Sequence, residues 1–266
     1  MPSAALKQPA PEHRAHRTHD KTFYPVEEKV GQDSIQVVIL ELLRPLIERW
    51  YALLGKPTFV GADQFIYWKR GYPSKVVAPD IYVLPGVAPG RRVKSWKVWK
   101  TGITPSLAME VVASDDPYKD YMEAPERYDA LGVEELIIFD VNWEIGEDRV
   151  RWQRFRRLET RGFTRVDATD ADRLRSRVLG CFLRVVGEGD DARLRLGTGP
   201  TGDDLVPTET EAERAAKETE RAAKDEALAA RDEAVATKEE ALRRVAELEA
   251  LLARQGTPNG GGGARE

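Results

Sequence analysis

Leu107-Ala108-Met109-Glu110-Val111-Val112-Ala113, then Ser114-Asp115-Asp116-Pro117, then Gly132 and Glu135-Leu136-Ile137-Ile138-Phe139-Asp140-Val141: this stretch decides the fold. The first run has the length and composition of a buried strand. Ser114–Pro117 is a helix start, with acidic capping residues and a proline where the first helical N–H would go unbonded anyway. The predicted helix runs towards Leu131, bends at Pro125 and stops at Gly132. Leu136–Phe139 is continuously apolar, as expected of a strand covered on both faces. Leu107–Val141 is therefore a compact β-α-β unit.

Upstream, Asp33–Leu54 reads as a helix. Ile35, Val38, Ile39, Leu42, Leu43, Leu46 and Ile47 recur at helical spacing, Asp33 or Ser34 can cap it, Pro45 implies a kink or break, and Gly55 and Pro57 end it. Thr58–Trp68 and Val76–Leu84 are strand candidates separated by Gly71 and Pro73, which suggests a hairpin. A long polar stretch, Pro85 to Thr104, follows. Downstream, Arg149–Arg157 and Arg161–Val166 read as a second hairpin with Gly162 near its turn, and Val178–Val186 and Ala192–Leu196 as two further strands. From Thr208 to Arg254 the chain is dominated by Ala, Glu, Lys and Arg, without Gly or Pro. Leu228, Val235 and Leu242 are spaced by seven, and Val245 and Leu252 take the complementary position of the same heptad. Ala216, Ala223 and Ala230 also repeat by seven, outside both positions. A long helix with a thin coiled-coil seam follows, and with it an expected homodimer. The predicted organisation is a disordered arm over 1–22, a folded domain over 23–206, a helical tail over 207–255 and a disordered end over 256–266.

Composition narrows the chemistry. The 266 residues, 41% hydrophobic, can bury one large core. No apolar run approaches the roughly 20 residues that cross a bilayer, so no membrane partner is expected. Met1–Asp20 lacks the apolar centre of a secretory signal, and a cytoplasmic location is the expectation. All three histidines (His13, His16, His19) lie in that arm, which removes Ser-His-Asp chemistry from the folded part. The single cysteine, Cys181, sits in an apolar run and reads as a small buried residue, not a nucleophile. Carboxylate, lysine and metal chemistry remain. The net charge is −4, but ten Lys/Arg and 14 Asp/Glu lie from Val206 onwards, so 31 of each sign precede it. A neutral body needs a local basic patch to hold nucleic acid. Arg91, Arg92, Lys94, Lys97 and Lys100, interleaved with Trp96 and Trp99, are the candidate patch. The alternative is that both tryptophans pack under a loop and the cations solvate it. Arg149–Arg165 reads first as a half-exposed hairpin and second as a strip facing DNA.

Two carboxylates stand out by context. Asp80 lies in Val76-Val77-Ala78-Pro79-Asp80-Ile81-Tyr82-Val83 and Glu110 in Leu107–Ala113. A charge within an apolar strand is costly unless it has a partner or a metal. If the strands are neighbours the two can converge. Two carboxylates with a backbone carbonyl, here that of Val111, suit Mg²⁺ or Mn²⁺, which keep water and phosphate on their other positions.

Pro79-Asp80 followed by Met109-Glu110-Val111-Val112-Ala113-Ser114 resembles the PD-(D/E)xK nuclease pattern. With Ser95-Trp96-Lys97-Val98-Trp99, Tyr128–Glu135 and Phe139-Asp140, the chain is similar over roughly residues 30 to 200 to the Uma-two family of restriction-endonuclease-like proteins, common in bacteria. The resemblance implies an α/β (α+β) fold with an α-β-β-β-α-β restriction-endonuclease-like core, a central mixed sheet flanked by helices. It also implies a divalent-metal phosphodiesterase site without an organic cofactor. The strict pattern puts lysine two residues after the glutamate, where this chain has Val112. Lys119, on the following helix, is the candidate replacement, against a solvated lysine pairing Glu123. Asp63 is a candidate third carboxylate, its alternative being a turn or bulge residue. Glu41, on the first helix, is a candidate metal ligand against a solvated helix face. Asp120 reads as a first-turn acid favouring the helix dipole, and Tyr128 as packing the helix on the sheet with its hydroxyl near the site. Two functions follow as expectations: a Mg²⁺-dependent DNA endonuclease with Asp80, Glu110 and Lys119 as catalytic residues, or a non-catalytic binding or assembly module on the same fold.

Overall fold

The computed structural model describes residues 15–17, 23–25, 34–113, 117–188 and 191–255. Short strands β1 (Ala15–Arg17) and β2 (Phe23–Pro25) pair antiparallel, so part of the predicted arm has strand backbone; His13 and His19 lie outside the described residues. Helix α1 (Ser34–Leu53) runs through Pro45 as one element, so of the expected kink or break there is no break. Pro45 and Glu41, whose carbonyl loses its helical donor to the proline, both lie on the exposed face. Water can satisfy that carbonyl, and the ring meets no packed neighbour. The proposed cap of α1 lies outside the described side chains.

The first hairpin is present but split. Strands β3 (Thr58–Gly61) and β6 (Ile81–Pro85) pair antiparallel, as do β4 (Phe65–Tyr67) and β5 (Val76–Val77). Phe59 faces Leu84 and Ile66 faces Val77, one continuous register. It breaks at 62–64 and 78–80. Asp63 takes a left-handed φ of 57° and its N–H bonds the Pro79 carbonyl at 2.9 Å. Pro79 has no N–H to continue the ladder. The outer half peels away and adds strand β7 (Ser95–Lys97), parallel to β4, which leads into the short helix α2 (Val98–Thr101).

The inner half joins a six-stranded sheet with β8 (Leu107–Val112), β9 (Glu135–Asp140), β10 (Trp152–Leu158) and β11 (Gly162–Thr169). Its order is β11-β10-β9-β8-β6-β3, and only β8–β9 is parallel. The β8–β9 crossover contains a π-helical turn, Lys119–Glu123, then α3 (Ala124–Leu131), which ends at Gly132 (φ 92°). The pleat sends alternate residues to opposite faces. Ile81, Val83, Met109, Val111, Ile137 and Phe139 pack with α1, whereas Tyr82, Leu84, Ala108, Val112, Leu136 and Ile138 pack with α3. A second antiparallel sheet, β12 (Arg173–Arg175), β13 (Phe182–Val186), β14 (Arg193–Thr198) and β15 (Asp204–Leu205), adds Leu174, Leu183, Leu194 and Leu196 to the α1-side core. Cys181 is buried in the same cluster, and burial pushes its thiol up to about 12, which makes it inert. The chain is a mixed α/β protein. It divides into two compact units, Met1–Thr208 and Glu209–Glu266, the second carrying α4 (Glu209–Gln255). Among the described residues no helix is long and apolar enough to cross a membrane.

Candidate metal centre

The hairpin break delivers Asp80 to the sheet. Ile81 pairs Met109 in the β6–β8 ladder, so Asp80, one residue earlier, stands across from Glu110. Asp80 is 7% exposed. Its Oδ1 accepts from Gln36 Nε2 at 2.8 Å and its Oδ2 from the Val111 amide at 2.6 Å. The carboxylate thus takes a backbone donor that a continued strand would have engaged. Both donors are neutral. Burial raises the carboxyl to about 7; the bonds from Val111 and Gln36 oppose this, and the charges of Asp63 and Asp120 reinforce it.

Glu110 projects to the α3 face. The Tyr128 hydroxyl, on α3 and 1% exposed, donates to Glu110 Oε1. Burial lifts the Glu110 carboxyl well above the usual carboxylate range, with further push from Asp80 and Asp120; the Tyr128 bond and the Lys119 charge pull the other way. Burial, then Glu110, likewise holds the Tyr128 phenol well above its usual value, so it remains a donor. Tyr128 both packs α3 on the sheet and reaches the site.

A π-helical turn, Lys119–Glu123, leads into α3. Pro125 cannot donate to the Tyr121 carbonyl, and the widened turn, closed from the Ala124 amide to the Lys119 carbonyl, replaces that α-helical bond. Lys119 is exposed, and its charge favours the ionised forms of Glu110 and Asp120. Glu123 pairs with Arg127 at 3.4 Å. Asp120 is partly buried, chiefly for which reason its carboxyl is raised, and its charge bears on both Asp80 and Glu110. Reading it only as a helix-dipole acid missed this. The signal was its spacing, four residues before Ala124 and eight before Tyr128, both buried on α3.

Asp63 is exposed at the hairpin break, a turn residue whose charge reaches Asp80. Glu41 is exposed on α1, and the α1 side chain bonded to Asp80 is Gln36, which sequence reasoning did not single out. The proposed cap at Ser114–Asp116 lies outside the described residues. Asp140, at the end of β9, is fully buried. It accepts from Arg149 Nε at 2.8 Å and Nη2 at 2.7 Å, from the Asn142 amide at 2.8 Å and from the Tyr121 hydroxyl at 2.7 Å. The pair ties the π-helical turn to the sheet.

The basic segment differs from the expected stacking surface. Trp96 is buried, its indole N–H bonded to the Ile103 carbonyl at 2.8 Å, and Trp99 packs near Phe65 and Tyr67. Lys97 is buried too, 7% exposed, and so is not part of an outer cationic face. Arg91, Arg92, Lys94 and Lys100 are exposed and, with Lys97, line a pocket of about 460 Å³.

Among the described residues no group of three or more His, Cys, Asp or Glu is placed to hold a metal. A two-carboxylate site still fits Mg²⁺, which keeps most of its water. Asp80, just before β6, and Glu110, on the neighbouring β8, supply hard oxygens, and only neutral groups donate to them in the hydrogen bonds described. The chain is similar to a crystal structure of "a putative nuclease belonging to DUF820" from Anabaena variabilis ATCC 29413, at 12% identity over 66% of this chain and 88% of that one, with a TM-score of 0.39. No curated protein matches it. Residues 25–174 match the Uma2 family, described as "Putative restriction endonuclease", and the chain belongs to that family.

Proposed function

We propose that the protein is a divalent-metal phosphodiesterase that hydrolyses DNA, with Asp80 and Glu110 holding Mg²⁺ or Mn²⁺ together with the Val111 carbonyl. One observation carries this reading: a carboxyl on the residue just before β6 and another on β8, the first bonded by the amide of the residue after the second, both raised by burial and hydrogen-bonded by neutral donors. Bound Mg²⁺ supplies Lewis-acid stabilisation of phosphate charge and a more acidic water. The chain's own groups prepare that site. Gln36 and the Val111 amide fix the Asp80 carboxylate, and Tyr128 fixes Glu110. Lys119, exposed on the π-helical turn and acting by its charge on Glu110, can neutralise phosphate charge or orient a water. Arg91, Arg92, Lys94 and Lys100 offer backbone phosphates the local positive field that the neutral body lacks.

Plasmid cleavage in Mg²⁺ or Mn²⁺ by the wild type and by Asp80→Ala tests the proposal. Nicking by the wild type and not by the variant supports it; nicking that persists in the variant removes this site from the chemistry. A second reading has one observation in its favour. Val112, where the strict pattern has lysine, is packed at 1% exposure against α3, so no cation can stand there. A non-catalytic module on this fold would cut neither DNA nor RNA and would bind no metal by calorimetry.

A further inference from the structure

The sequence between the two carboxylates is one-signed. From Ile81 to Met109 it holds Arg91, Arg92, Lys94, Lys97 and Lys100 and no Asp or Glu, in a chain whose acids outnumber its Lys and Arg 45 to 41. The fold gathers those five cations around one cavity of about 460 Å³, a size that encloses a small ligand. Among the described residues no acid lines it, and Ser95 and Thr101 add hydroxyls. Arg91 lies over the Trp96 ring, 5.8 Å from its centre, which orients the guanidinium without neutralising it. Trp96 is itself buried in the α3-side cluster that contains Tyr128, so this wall of the cavity is firmly packed. Among the described residues, Arg91, Arg92, Lys94 and Lys100 pair with no carboxylate. Like charges gathered without counter-charges repel one another, so the cluster fits an anionic ligand.

The concave form selects the anion. Internal phosphodiesters carry one charge each and lie along a strand, where a row of cations on an open face meets them. A phosphomonoester carries about −1.5 to −2 at pH 7 and offers three acceptor oxygens, which suits a small cavity ringed by Arg and Lys. The cavity also stands near the carboxylates. Ser95 pairs Phe65 in the β4–β7 ladder, and two residues before Phe65 the Asp63 amide bonds the Pro79 carbonyl, next to Asp80. At about 4.8 Å between strands and 3.3 Å per residue, the Ser95 end of the cavity is on the order of 15 Å from Asp80. We propose that this cavity is a terminal-phosphate pocket, which holds the phosphomonoester at a DNA strand end and leads the adjoining backbone towards Asp80 and Glu110. The pocket adds an anchor for nicked and linear DNA, and closed circles remain slower substrates. The path towards Asp80 and Glu110 rests on the phosphodiesterase reading; capture of the strand end is measured without it.

The test uses the full chain in chelator, so that neither metal nor cleavage contributes. Fluorescence anisotropy compares internally labelled single-stranded oligonucleotides of one sequence with a 5′-phosphate, a 3′-phosphate or hydroxyls at both ends. One phosphorylated end is expected to bind on the order of tenfold more tightly than the hydroxyl form. Arg92→Ser/Lys94→Ser, at two exposed positions, should erase that preference and leave urea unfolding unchanged. Equal affinity of the wild type for all three oligonucleotides would make the cluster a general backbone patch and overturn the proposal. So would a preference that survives in the double variant. A nucleoside monophosphate that binds as tightly as the phosphorylated oligonucleotide would mark a free-nucleotide pocket and overturn the strand-end assignment. Asp80→Ala is expected to keep the preference. A wild type that shows the preference yet cuts no DNA in Mg²⁺ or Mn²⁺ would sink the phosphodiesterase reading and leave the pocket standing.

Discussion

In metal-free buffer, Asp80→Asn should stabilise the protein, and increasingly so from pH 5 to pH 8. Asp80 keeps its proton up to about 7, whereas an ordinary aspartate loses it near 3.8. Between those values the folded state binds more proton than the unfolded chain, so unfolding free energy falls as pH rises. Below 3.8 both states are protonated and the effect vanishes; above 7 it is complete. At about 1.36 kcal/mol per pH unit, the gap between 7 and 3.8 costs the wild type roughly 4 kcal/mol at pH 8, of which about 2.5 kcal/mol develops above pH 5. Asparagine keeps an acceptor for the Val111 amide, and Gln36 can turn its amide to present oxygen, so the variant stays neutral without losing the geometry. The assay is urea unfolding with chelator, followed by tryptophan fluorescence, for both proteins at pH 5 and pH 8. The stability difference, variant minus wild type, should grow by about 2.5 kcal/mol, on the order of 5–10 °C in melting temperature for a domain of this size. Millimolar Mg²⁺ should then stabilise the wild type and not the variant, because the ion favours the ionised carboxylate. A difference that is equal at the two pH values, or that shrinks as pH rises, would refute the assignment of Asp80 as a buried carboxyl poised for a cation.

Four further outcomes follow from the same geometry. Tyr128→Phe removes the donor to Glu110 and should weaken Mn²⁺ binding by roughly 10-fold in calorimetry, as loss of an outer partner to a metal-ligating group does; unchanged affinity would exclude Glu110 from the centre. Lys119→Met, on an exposed turn, should lower cleavage while shifting stability by less than about 0.5 kcal/mol, and full activity in the variant would remove the lysine from the mechanism. Asp140→Asn leaves a buried guanidinium without its carboxylate and should cost roughly 3–5 kcal/mol in urea unfolding; a loss below about 1 kcal/mol would mean water reaches that pair. Gly61→Ala would put a methyl 2.2 Å from Tyr82 Cζ, and overpacking of this kind should cost about 1–3 kcal/mol, relieved when Tyr82 is replaced by leucine.

Much of the architecture was legible because it rests on local rules. The β8–α3–β9 unit, the stop at Gly132, the β10–β11 hairpin turning at Gly162 and the length of α4 all come from periodicity and turn chemistry. The broken hairpin was not legible. Thr58–Trp68 and Val76–Leu84 each satisfy strand propensity throughout, and only the pairing of two distant segments shows both breaking at one level. Pro45 is a smaller case: its sequence signal allows a kink or a break, and that the helix continues through it, with Pro45 and Glu41 on the exposed face, belongs to the packed chain.

The candidate site divides along the same line. Sequence alone singled out Asp80 and Glu110, because a charge inside an apolar strand announces its own cost. It also offered Lys119, on the helix after the Glu110 strand, as a candidate for the lysine missing from the strict position. Tertiary structure decided which neighbours serve them. Gln36 in place of Glu41 on α1, the Val111 amide, the convergence of Asp120, the burial of Lys97 and Trp96, and the Asp140–Arg149 pair all depend on distances between segments far apart in the chain. A residue's type and spacing record what it costs to bury; which partner offsets that cost is settled only when the layers close on one another.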